Sequence, residues 1–325
     1  MVSIIIPVYQ VSDYIERCLS SVLGQSYNDL ECIIVDDSTR DDSIIKCERL
    51  IAAYNDNKKG IRFRILHHDR NRGLSAARNT GADAATGDWL FYIDADDEIT
   101  HDCIEKLASI AQAHPDAEMV LGNTDKHFQD GHVTLFISQD MPTAILTNTE
   151  VFNLYQQRRL LVNAWNILIR RSFFKQHQLY FREGILYEDR LWLFYVVKVL
   201  SKLYICKDVT YHYYVRPGSI TTDSAKQDVG KSYSIIYDEI LHHLTPGGER
   251  AELNYYVEMF CRHYLEHEEN LTVYNSLMKE YRKYSWVNSC WSAYSKLWFA
   301  SAMGALPFGL FALRKLQEIK MSIKR

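Results

Sequence analysis

Carboxylates in this chain cluster where apolar runs stop. Asp36 and Asp37 follow Leu30–Val35, while Asp94, Asp96 and Asp97 follow Trp89–Ile93. Glu188 and Asp189 open an apolar stretch that reaches Leu200. One acidic pair after a run is usually a cap or a turn. Several pairs from separate strands, brought to one crevice, repel one another, and a divalent cation is the usual remedy. Mg2+ or Mn2+ takes oxygen ligands and is commonly held by one or two carboxylates plus substrate phosphates. The chain has no G-x-x-x-x-G-K-[ST] loop, and no G-x-G-x-x-G follows its first apolar run, Val2–Val8. A kinase, a P-loop nucleotidase and a dinucleotide dehydrogenase are therefore disfavoured. A nucleotide gripped mainly through metal-bridged phosphates remains.

The elements that must position these groups are legible as an α/β alternation. Val2–Val8 is a continuous apolar run, as expected of a strand buried on both faces, and Leu30–Val35, Arg62–Leu66 and Trp89–Ile93 read as further strands of a mostly parallel, Rossmann-like sheet. Helices are expected between them. The first has a capping box at Asp13 and Glu16 and an apolar side of Ile15, Cys18, Leu19 and Val22. The second covers Ile44–Tyr54 and the third opens near Ser75. Beyond Asp97 the pattern is mixed. Helices are predicted over Asp102–His114, Glu150–Gln157 and Glu188–Leu200, with strands over Ala117–Gly122, His132–Ile137 and Ala164–Ile169. Tyr204–Cys206 and Val209–Val215 read as a closing hairpin in which His212 is structural. From about Ser224 the pattern is helical, over Lys226–His243 and Arg250–Tyr284. Ligands of such sheets lie beyond the carboxyl ends of the strands, where Pro7, Tyr9, Asp36, Asp37, Asp94, Asp96 and Asp97 all fall.

Ordered motifs extend this reading. They are Ser3-Ile4-Ile5-Ile6-Pro7-Val8-Tyr9, Ile33-Ile34-Val35-Asp36-Asp37-Ser38-Thr39 and Asn71-Arg72-Gly73-Leu74-Ser75-Ala76-Ala77-Arg78-Asn79-Thr80-Gly81. Ile93-Asp94-Ala95-Asp96-Asp97, Gly184-Ile185-Leu186-Tyr187-Glu188-Asp189 and Arg216-Pro217-Gly218-Ser219-Ile220 follow. In this order and spacing the sequence resembles a family 2 glycosyltransferase of the GT-A fold, from residue 2 to about 222. The resemblance implies an inverting transfer from a nucleotide sugar, a UDP-sugar first, to a glycan or lipid-linked acceptor in surface polysaccharide synthesis.

It also implies roles. Pro7 and Tyr9 line the base pocket, with Asp37 binding the uracil and Asp36 beside it. Asp94 touches the ribose, Asp96 ligates the metal, Asp97 reaches the donor sugar, and Arg78 approaches the diphosphate or braces the acidic crevice. Asp189 is the base, and Trp165, in a Trp-Asn segment with Asn166, lies with Glu188 beside the acceptor. Arg216 stands where many relatives carry a metal- or phosphate-binding His. A guanidinium has no lone pair for a metal, so a phosphate clamp is the role open to it.

Composition narrows the partners. A net charge of −4 argues against a nucleic-acid binder. Seven scattered cysteines without a C-x-x-C pair suit free thiols in a reducing compartment, and no signal peptide opens the sequence, so a cytosolic enzyme is expected. The resulting plan is a catalytic domain over 1–223 and a helical region over 224–325. Within that region Leu297–Leu313 carries no charge and is followed by Arg314, Lys315, Lys320, Lys324 and Arg325. Such a tail at 297–325 suits peripheral contact with the cytosolic leaflet, packing on the domain, or a short span. Two rival functions stay open: a sugar-phosphate nucleotidyltransferase, and a non-catalytic nucleotide-sugar-binding scaffold.

Overall fold

A computed structural model of the chain describes residues 1–56, 60–160, 162–216, 231–233, 235, 236, 239, 240 and 243. The chain forms two compact units, Met1–Ser224 and Ala225–Arg325. In the second, the described residues are largely helical, with Tyr233, Ile236 and Ile240 buried at helical spacing. The predicted helix Arg250–Tyr284, most of Lys226–His243, the motif beyond Arg216 and the tail at 297–325 lie outside the described residues. Among the described residues, no helix is long and apolar enough to cross a membrane.

The first unit opens with an α/β alternation. β1 (Val2–Val8), α1 (Ile15–Leu23), β2 (Leu30–Asp36), α2 (Ser43–Asp56), β3 (Arg62–His67), α3 (Leu74–Ala84) and β4 (Trp89–Tyr92) follow one another. Then come β5 (Glu98–Ile99), α4 (Cys103–Ala113), β6 (Met119–His127), β7 (Val133–Leu135), β8 (Ala144–Ile145) and α5 (Asn148–Gln156). β9 (Ile167–Arg170), α6 (Arg171–Gln176), α7 (Glu188–Val199) and β10 (Leu203–Tyr214) complete it. One sheet runs in the order β3-β2-β1-β4-β9-β6-β10-β5, with β7 on β6 and β8 on β10. β3, β2, β1 and β4 are parallel, and β9 runs against both β4 and β6. β6 and its parallel partner β10 therefore share the direction of β1. The carboxyl ends of β1, β2, β4, β6 and β10 meet along one edge of the sheet.

The core explains why the apolar runs are continuous. Every residue of β1 is buried, and α1 covers one face with Ile15, Cys18, Leu19 and Val22. Full burial of each aliphatic side chain is worth about 1.5–3 kcal/mol. Gly81 lets α3 lie on β1, because a Cβ there would collide with the Ile5 side chain. The cysteines among the described residues are buried free thiols, and burial raises their pKa, that of Cys47 to about 12.

Two local expectations need correction. The capping box at Asp13 and Glu16 does not form; α1 begins after Tyr14, with the Tyr14 and Ile15 N–H groups donating to the Val11 carbonyl. A side-chain cap forms instead at Thr147, whose hydroxyl accepts the Glu150 N–H at 3.2 Å and so starts α5. The expected closing hairpin is the single strand β10. Register shifts between Cys206 and Val209, and between Val209 and Tyr211, absorb the polar Lys207-Asp208 pair as a bulge.

Candidate active site

The edge just described gathers the predicted residues, but it divides them into exposed and buried sets. Ile5 pairs with Tyr92 at the last β1–β4 contact, and its carbonyl accepts from Ile93. Pro7 faces the same side two residues further on, so its missing N–H costs no ladder bond. Tyr9, just past β1, is 41% exposed and is the most open aromatic group at this edge. Asp36, half-buried, accepts the Thr39 N–H at 2.8 Å and contacts His67 Nδ1 at 2.9 Å.

Asp37 behaves differently. It is 3% exposed, and its Oδ1 accepts the Arg72 N–H at 2.8 Å and meets His68 Nδ1 at 2.6 Å. Its Oδ2 accepts the Gly73 N–H at 2.7 Å. Gly73 sits at φ +88°, a conformation open to glycine, and starts α3. Asp37 is thus the anchor of the β3–α3 loop. A carboxylate has more lone pairs than these contacts use, so the loop anchor leaves room for the expected contact to uracil.

Beyond β4, the acids are linked by two arginines. Arg78, buried on α3, donates from Nη2 to Asp94 Oδ1 at 2.7 Å and from Nη1 to Glu188 Oε1 at 2.5 Å. Its guanidinium also lies 5.3 Å from the Phe181 ring centre. Burial alone would lower its pKa, but Asp94 and Glu188 more than offset this and hold it charged. Arg78 thus holds Asp94 and Glu188 together. Glu188, 7% exposed, is the second acid of that pair. Arg216 donates from Nε to Asp96 Oδ2 at 2.6 Å and stacks over Tyr14 at 4.6 Å.

Asp97 is 1% exposed. Its Oδ2 accepts from Tyr211 Oη at 2.8 Å and its Oδ1 from the Tyr214 N–H at 3.0 Å. These bonds fasten the β4–β5 turn onto β10. Trp165, 8% exposed, lies between Tyr211, at 4.5 Å, and Phe136, at 5.9 Å, in a stack that also includes Tyr213. The ring is thus buried within an aromatic cluster. Asn166 is fully buried, donating to the Asn123 carbonyl and to Thr124 Oγ1, each at 3.0 Å.

Electrostatics single out what remains. Burial raises the pKa of Asp94, aided by Asp96 and opposed by Arg78. Burial, then Asp96 and Asp94, push Asp97 well above the usual carboxylate range. Asp189 sits in the first turn of α7, with a buried Oδ1 that makes no hydrogen bond. Burial and the neighbouring charge of Glu188 push its pKa up to about 7, against the pull of Arg190 and Arg78.

The donor set suits a hard cation. Arg78 and Arg216 each hold one oxygen of Asp94 and Asp96. The second oxygen of each carboxylate lies outside these two ion pairs, and the charges of Asp94 and Asp96 repel one another. One or two carboxylate oxygens are what Mg2+ or Mn2+ takes from a protein when phosphates complete its shell.

Known proteins agree with this geometry. Residues 3–177, more than half of the chain, match Glycosyl transferase family 2. The uncharacterized glycosyltransferase EpsJ of Bacillus subtilis is 30% identical over 82% of this chain and 76% of its own length. Glycosyltransferase GlyG of Streptococcus pneumoniae is 27% identical over 68% of this chain and 72% of its own. Among solved structures, S. aureus TarS in complex with UDP-GlcNAc superposes with a TM-score of 0.63 at 20% identity, covering 81% of this chain and 72% of that one. The mannosyltransferase PcManGT of Pyrobaculum calidifontis, with GDP-Man and Mn2+, gives 0.56 at 14% identity over 98% and 87%. With its GT-A sheet, its acidic edge and a match over more than half its length, this chain belongs to glycosyl transferase family 2 and is a glycosyltransferase.

Proposed function

We propose that the enzyme transfers a sugar from a nucleotide-sugar donor, of the UDP-sugar class, to a glycan or lipid-linked saccharide by a single inverting displacement. The observation that carries this reading is Asp189, a carboxylate with a buried, unpartnered oxygen and a pKa raised to about 7 beside the acidic crevice. A base poised near neutrality can take a proton from an acceptor hydroxyl and release it again. As that proton passes to Asp189, the acceptor oxygen bonds to the anomeric carbon. The bond from that carbon to the diphosphate oxygen breaks, and the nucleoside diphosphate leaves with the electron pair. No covalent enzyme intermediate is required.

Tyr9 and Asp36, at the ends of β1 and β2, border the base site, with Pro7 shaping the strand end behind them and Asp37 holding the loop. Asp94 faces the ribose. Asp96, with Asp94 beside it, would hold Mg2+ or Mn2+, and such an ion would neutralise charge on the departing diphosphate. Arg216 would clamp phosphate on leaving Asp96. The solved complexes of TarS with UDP-GlcNAc and of PcManGT with GDP-Man and Mn2+ support a nucleotide-sugar donor and a divalent ion. The charge-free segment Leu297–Leu313 and its basic flank support contact with the cytosolic face of a membrane, which suits a lipid-linked acceptor.

The test pairs Asp189→Asn with a panel of UDP- and GDP-sugars. Donor binding by calorimetry should be unchanged, and transfer should fall by roughly 10²–10⁴-fold. Retained turnover would remove Asp189 as base. Metal-independent donor binding, unaffected by Asp96→Ala, would remove the cation.

A further inference from the structure

A second polar cluster stands at the same sheet edge, apart from the donor crevice. Asp125 and His127 lie two residues apart on β6 and so share one face of it, and His212 of β10 is the register partner of Asp125. Both imidazoles converge on one carboxylate oxygen. His212 Nδ1 is 2.6 Å and His127 Nε2 3.1 Å from Asp125 Oδ1, and the three ligand atoms all lie within 4.8 Å of one another. The contacts differ in kind. His212 makes a hydrogen bond to Asp125, whereas His127 Nε2 is buried and makes none despite its proximity. The His127 ring is held in place by stacking on Tyr214 at 4.9 Å and by an edge contact with His212 at 5.6 Å. All three side chains are half-buried, with an open side toward solvent.

We propose that Asp125, His127 and His212 form a binding site for a divalent transition-metal ion of the Zn2+ type. Two imidazoles and one carboxylate match the borderline softness of Zn2+, whereas Mg2+ prefers an all-oxygen shell. Metal–ligand bonds of about 2.1 Å in a tetrahedron set ligand atoms about 3.3 Å apart. The present separations reach that value through small side-chain rotations, and the open side leaves the fourth position to water. The ion would also employ His127 Nε2. Bound there, it would tie β6 to β10 immediately before Tyr214, which donates to Asp97, and Arg216, which holds Asp96. It acts as a staple under the acidic crevice and is separate from the hard cation at Asp96.

The experiment is calorimetric titration of the full chain, stripped by a chelator, with Zn2+ and with Mg2+. One Zn2+ should bind per chain without nucleotide present. His127→Gln and His212→Gln should each weaken it by roughly 100-fold or more, since even losses outside the ligand set cost 10–100-fold. Asp96→Ala should leave it unchanged. Co2+ added to the unmutated chain should give visible d–d bands that Zn2+ abolishes and Mg2+ does not, a readout independent of how the variants fold. Absence of Zn2+ uptake by the unmutated chain, or uptake that both Gln variants retain in full, would overturn the site.

Discussion

Two buried carboxylate regions, at opposite ends of the central strands, were built in opposite ways. At the amino end, Glu31 of β2 is 4% exposed and is surrounded by donors. Its Oε1 accepts from Ser3 Oγ at 2.5 Å, the Thr86 N–H at 2.6 Å and the Gly87 N–H at 3.1 Å, and Arg64 approaches Oε2 at 3.2 Å. Burial alone would raise its pKa, but these bonds more than compensate and lower it. At the carboxyl end, Asp94 and Asp189 have raised values because burial and neighbouring acids outweigh the available donors. A carboxylate that serves the fold is saturated with donors. One that serves chemistry is left partly unsatisfied, and its charge is held in check by a few arginines.

Removing Arg78 should break this contrast most sharply. Arg78→Met leaves Asp94 and Glu188 buried without their cation, and should cost about 4 kcal/mol in denaturant unfolding. A loss under about 1 kcal/mol would show that the pair is solvated. Glu31→Ala should cost about 3 kcal/mol by stranding buried donors, while turnover per folded molecule stays unchanged. Lowered transfer by the folded variant would mean that the two ends are coupled.

The pH dependences should be opposite in sign. Glu31 has a depressed folded pKa, so its stabilising contribution is present above the ordinary carboxylate value and is lost as pH falls through the lowered one. Asp189 keeps its proton in the folded state up to about 7, so the folded chain binds more protons and stability falls as pH rises from the ordinary carboxylate range to about 7. Asp189→Asn should therefore raise Tm at pH about 8 by a few degrees and leave it little changed at pH about 5. An equal shift at both values would remove titration as the cause.

The sequence exposed one half of this arrangement better than the other. β1, β2 and β4 were readable because strands in the middle of a sheet are largely apolar, and the carboxylates after β2 and β4 had to meet at one edge. The partners of those carboxylates were not readable, because they lie far away in the sequence. Asp37 is satisfied by Arg72 and Gly73, 35 and 36 residues away, and Asp97 by Tyr211 and Tyr214, 114 and 117 away. Trp165 carried an aromatic signal that suits a sugar or a core, and its stack with Tyr211 and Phe136 was not legible in it. His212 read as solitary because Asp125 lies 87 residues earlier, on a strand whose parallel pairing with β10 the expected hairpin concealed.

The pH profile of sugar transfer at saturating donor tests the central claim most directly. With Asp189 as the base, the rate should rise tenfold per pH unit on the acid side and level off around a midpoint of about 7. A rate flat from pH about 5 to 9, or the same midpoint in Asp189→Asn, would contradict it.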